Sequence, residues 1–82
     1  MQVYADYFSH IQFKKMKQEL INLLDEIRQL GHQAAHTFTR DLAHDDMDAD
    51  QWGRLQDVLK EINLKSQEAF LLSANLRRSI PA

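Results

Sequence analysis

Two glycines and a single proline are all that interrupt 82 residues of chain. Pro81 is the penultimate residue, so Gly31 and Gly53 are the only backbone punctuation within the body of the sequence. A sheet of this length needs many turns, and turns consume Gly, Pro and Asn. The chain lacks them, which predicts an all-α fold.

Hydrophobic periodicity places the helices. Phe13, Met16, Leu20, Leu23, Ile27 and Leu30 alternate spacings of three and four, which puts them on one helix face. Ser9 with Gln12 has the form of a capping box, and Phe8 with Phe13 occupies the staple positions around it. Gly31 follows the last periodic residue, where a left-handed residue ends a helix cheaply. These signals predict helix 1 over about 9–30. Lys14, Lys15 and Lys17 argue for an earlier start near Val3, because cations oppose the helix dipole in a first turn. Val3, Tyr4, Tyr7, Phe8 and Ile11 would then extend the helix with an aromatic flank.

Ala34, Ala35, Phe38 and Leu42 keep helical spacing and predict a short helix 2 over about 32–43. Helix 3 is the best signalled, over about 49–78. Asp48 and Gln51 form a capping box, with Met47 and Trp52 as its staple. Asp48 and Asp50 suit the positive end of the dipole, while Arg77 and Arg78 suit the negative end. Asp50–Arg54 and Glu61–Lys65 are favourably ordered i,i+4 pairs, and only Gly53 weakens the run. The expected architecture is one domain over 1–82, two long helices and a short middle one.

So small a domain buries only roughly 60–65% of its unfolded surface, so its own core is marginal. Disulfides and thiolate metal sites are closed to it, because cysteine is absent. No signal-peptide pattern follows Met1 and no run approaches a membrane span, so a cytoplasmic chain with no membrane contact is expected.

The apolar stripes are wider than one chain needs. Helix 3 carries a seam of Leu55, Val58, Leu59, Ile62, Ala69, Leu72 and Leu76, with Ser66 and Ser73 as small seam residues. Phe70, Leu71 and Leu64 point elsewhere, and helix 1 carries Ile21 and Leu24 beside its own seam. A surface helix of a monomer is polar on one side. These five surplus residues therefore predict association, most simply a homodimer that completes a helical bundle. The function expected is binding to another protein, as an adaptor, an assembly subunit or a small inhibitor.

Charge supplies the second surface. Residues 41–57 hold six aspartates against Arg54 alone. Asp41, Asp45, Asp46, Asp48 and Asp50 offer an acidic contact to a basic partner. The runner-up is a small dimeric RNA- or DNA-binding regulator using Lys14, Lys15, Lys17, Arg77 and Arg78. Those five cations belong to a chain of net charge −2, which makes a thin patch. A third reading is a metal protein, since His32 and His36 share a helix face. The aspartate run lacks the glycine and terminal glutamate of a calcium loop. No phosphate loop, nucleophile elbow or Cys nucleophile is present, so neither catalysis nor a cofactor is expected.

Overall fold

A computed structural model describes the backbone of residues 2–79 and the side chains of residues 11–79. Two helices pack against each other as an antiparallel hairpin, α1 over Gln2–Ala43 and α2 over Ala49–Ser79. No strand occurs among the described residues. The rod measures 64 × 21 × 15 Å. At 1.5 Å per residue, the 42 residues of α1 span about 63 Å, the whole long dimension.

The all-helical expectation holds, but the chain forms two helices where three were expected. Helix 1 does not stop at Gly31. No glycine takes a positive φ, and Gly31 lies inside α1 with the former middle helix as its continuation. One glycine costs a helix about 1 kcal/mol, less than giving up the packing of Ala34 and Phe38 beyond it. Phe38, at 4% exposure, is the most buried side chain described. Of the two starts expected for helix 1, the helix follows the earlier. α1 begins at Gln2, so Ser9 is an interior residue and caps nothing, and Lys14, Lys15 and Lys17 stand clear of the first turn. The side chains of Val3, Tyr4, Tyr7 and Phe8 lie outside the described residues.

The turn is built from the acidic segment. Asp46 N–H donates to the Asp41 carbonyl at 2.9 Å and Asp45 N–H to Leu42 at 3.3 Å. This is the paired closure of a Schellman motif, and Asp45 takes the left-handed position at φ 54°. Three residues later α2 opens on the expected capping box. Gln51 N–H donates to Asp48 Oδ1 at 2.8 Å, and Asp48 N–H donates to Gln51 Oε1 at 3.0 Å. Gln51 Nε2 then reaches back to Asp41 Oδ2 at 2.8 Å, tying the first turn of α2 to the last of α1.

Between the helices runs one seam. Phe13, Met16, Leu20, Leu23, Ile27, Leu30 and Ala34 of α1 are half-buried, as are Leu55, Val58, Ile62 and Leu72 of α2. Ala69 and Leu76 are buried outright. Spacings of three and four alternate without a break along Gln51, Leu55, Val58, Ile62, Lys65, Ala69, Leu72 and Leu76. Ser66 and Ser73, expected in the seam, lie beside it and are exposed.

Candidate interaction surface

Two cross-links fix which residues of the helices stand side by side. Asp41 meets Gln51 near the turn. Halfway along, Lys65 Nζ meets Glu26 Oε2 at 2.8 Å. Lys65 reaches across to α1 rather than back along α2 to Glu61, the partner the i,i+4 spacing suggested. In an antiparallel pair each step down α1 is one step back along α2. Carried toward the open end, this register brings Ile21 level with Phe70, and Lys14 level with Arg77.

Eight large apolar side chains are exposed among the described residues: Ile21, Leu24, Leu42, Trp52, Leu59, Leu64, Phe70 and Leu71. All five surplus residues inferred from the stripes are among them, with Phe70 the most exposed at 71%. Leu42, Trp52 and Leu59 were not expected. The sequence pattern makes Trp52 a staple residue and Leu59 a seam residue. A strict three-four reading through Leu55, Val58 and Ile62 would have set both outside.

Helical geometry sorts these residues onto faces. Residues immediately after a seam position, or four after one, lie to one side of the seam, and the antiparallel pairing puts that side of both helices on one face. Ile21, Leu24 and Leu42 of α1 share this face with Trp52, Leu59 and Phe70 of α2. Leu42 and Trp52 line one groove with Asp45 and Met47. Leu64 and Leu71 fall on the far side, where Glu26, Gln29, Glu61 and Lys65 line another groove.

Charge divides the same way. Between Lys14 and Ala35 on α1, and between Trp52 and Arg77 on α2, the first face carries no carboxylate position; its cations are Lys14, Lys17, Arg28 and Arg77. The opposite side holds Glu19, Glu26, Asp57, Glu61 and Glu68. Arg28 is offset by Asp25, 2.6 Å away, and that guanidinium holds the Asp25 carboxyl below its ordinary pKa. Lengthwise the rod is also polarised. Lys14, Lys15, Lys17, Arg77 and Arg78 gather at the open end, whereas Asp41, Asp45, Asp46, Asp48 and Asp50 gather at the turn.

His32 and His36 are both exposed, and no group of three or more metal-ligating side chains occurs among the described residues. Among those residues no helix is long and apolar enough to cross a membrane. No family model matches the chain, and neither curated proteins nor solved structures provide a match.

Proposed function

We propose that this chain is a small non-catalytic interaction module, an adaptor, assembly subunit or protein inhibitor, that works by docking exposed apolar helix faces. It self-associates, and the hairpin is half of a helical bundle. One observation carries this reading. A compact monomer of 9.6 kDa exposes about 5,100 Å²; the hairpin exposes 7044 Å². An elongated shape accounts for part of the excess, but not for its composition. Ile21, Leu24, Leu64, Phe70 and Leu71 all exceed 50% exposure. Each Leu, Ile or Phe fully covered contributes about 1.5–3 kcal/mol.

The aspartates of the turn are the second contact, suited to a basic partner. Asp48 is already engaged in capping, so Asp45, Asp46 and Asp50 are the freer charges. Clustering of Lys14, Lys15, Lys17, Arg77 and Arg78 at the open end supports a nucleic-acid reading as the alternative. It ranks second because those five cations belong to a chain of net charge −2.

Sedimentation at low micromolar concentration tests the main reading. A dimer is expected, and an ideal monomer sinks it. A salt-sensitive nucleic-acid shift lost on changing Lys14, Lys15 and Lys17 to Gln would promote the alternative.

A further inference from the structure

We infer that the carboxylate-free face is an isologous interface on which a second copy of this chain lies antiparallel, the acidic turn of each copy over the basic open end of the other. The inference rests on the self-association proposed above and adds the face and the orientation. Three observations select this occupant.

The first is that the face, running along a rod 64 Å long and 21 Å wide, has room for the roughly 800 Å² that each partner commits to a standard stable interface. The second is where the apolar residues stand. Among the described residues, six of the eight exposed large apolar side chains share this face and extend along it from Phe70 to Trp52. A two-fold axis at the level of residue 61, between Leu59 and Asn63 of this face, brings Trp52 of one copy level with Ile21 and Phe70 of the other, so apolar groups meet apolar groups twice.

The third is charge. The same axis sets Lys14, Lys17 and Arg77 of one copy beside the turn of its partner, where Asp45 lines the groove of Leu42 and Trp52 and Asp46 follows it, at both ends of the assembly. A parallel arrangement would instead stack aspartates on aspartates and lysines on lysines, and like-charge juxtaposition suppresses that pairing. Small residues assist close approach, since Gly31, Ser66 and Ser73 lie on this face and are all exposed. Leu64 stands outside the interface, and Leu71 borders it, lining a groove with Ser66 and Phe70.

Cysteine is absent from the chain, so single thiols can report orientation. Ser73→Cys lies near the open end and Ala49→Cys beside the turn, one helical turn before Trp52, both at exposed positions of this face. The expected result is a dimer in sedimentation whose short bismaleimide cross-link forms when the two variants are mixed, and not with either alone. Leu59→Asp is expected to weaken the dimer about 30-fold or more, whereas Leu64→Asp leaves it within about threefold with helicity unchanged in both. Cross-linking of either variant with itself overturns the orientation and leaves self-association standing. Loss of the dimer in Leu64→Asp but not Leu59→Asp overturns the face. A wild-type chain that stays monomeric overturns this inference together with the reading it rests on. Binding of that monomer to anionic phospholipid vesicles, or to another protein, would reassign the face.

Discussion

Lys65, the one cation in the seam of α2, donates a 2.8 Å hydrogen bond to Glu26 on the facing helix and makes the sole ion pair between the helices among the described residues. A lysine at a seam position forfeits the apolar contact of a leucine and in return favours one register. Lys65→Leu should therefore raise the thermal midpoint, by about 1 kcal/mol of added burial, while making the pairing of α1 with α2 less specific. A calorimetric transition that broadens as its midpoint rises is the expected trace. The Glu26 carboxylate holds the Lys65 ammonium above its ordinary pKa. A raised folded pKa means the contribution is complete below the unfolded value of about 10.4 and fades as pH climbs through the higher folded one. Denaturation between neutral and strongly alkaline pH should show that loss in the wild type and not in Lys65→Leu.

Gln51 joins three segments through one side chain, accepting from Asp48 N–H and donating to Asp41. Gln51→Ala should lose both bonds and leave the half-buried Asp41 carboxylate without this donor. A cost of about 1–2 kcal/mol follows from the cap and the bridge together. Urea denaturation should show the midpoint falling with an unchanged slope.

How much of this was legible in the sequence depends on how local each signal is. The bounds of α2 and its Asp48–Gln51 cap could be read, because capping chemistry is settled within four residues. Exposure of Ile21, Leu24, Leu64, Phe70 and Leu71 was also legible, because periodicity states which residues the seam leaves out. The stop at Gly31 was misread. A glycine after an apolar residue looks the same whether the helix ends or continues, and packing of Phe38 decides between them. Ser9–Gln12 misled for the same reason, being a motif without the helix end that gives it meaning. The gathering of Lys14 with Arg77 was invisible, since it needs the register that the turn and Lys65 impose. Trp52 and Leu59 were misplaced because each adjoins a true seam residue.

Backbone preferences supply a pair of stabilising changes. Asp45 sits in the left-handed region at the C-terminal end of α1, where a side chain is disfavoured and a negative charge opposes the dipole. Asp45→Gly should stabilise by about 0.5–1 kcal/mol. Gly53 is the reverse case, a helical glycine where an added Cβ meets nothing within 4 Å. Gly53→Ala should gain about 1 kcal/mol. The sites are far enough apart for the two gains to add in the double variant, which thermal melts can check.

Phe38 and Phe70 are the same residue in opposite circumstances, 4% and 71% exposed. Phe38 sits in the seam close to the turn, so its truncation leaves a cavity whether or not a second chain is present. Phe38→Ala should cost about 3–5 kcal/mol, enough to unfold much of a domain this small at 37 °C. Phe70 has nothing to lose within the hairpin. Phe70→Ala should leave the stability of the isolated hairpin within about 0.5 kcal/mol, yet remove contact area from the assembled form. The two are separated by following the melting midpoint against protein concentration. For an associating wild type the midpoint rises with concentration, because association draws on the folded form. In Phe70→Ala that slope should flatten while the low-concentration midpoint stays in place; in Phe38→Ala the midpoint should fall at every concentration. A Phe70→Ala melt that drops as far as that of Phe38→Ala under dilute conditions would mean that Phe70 is buried within a single chain, contrary to the hairpin described.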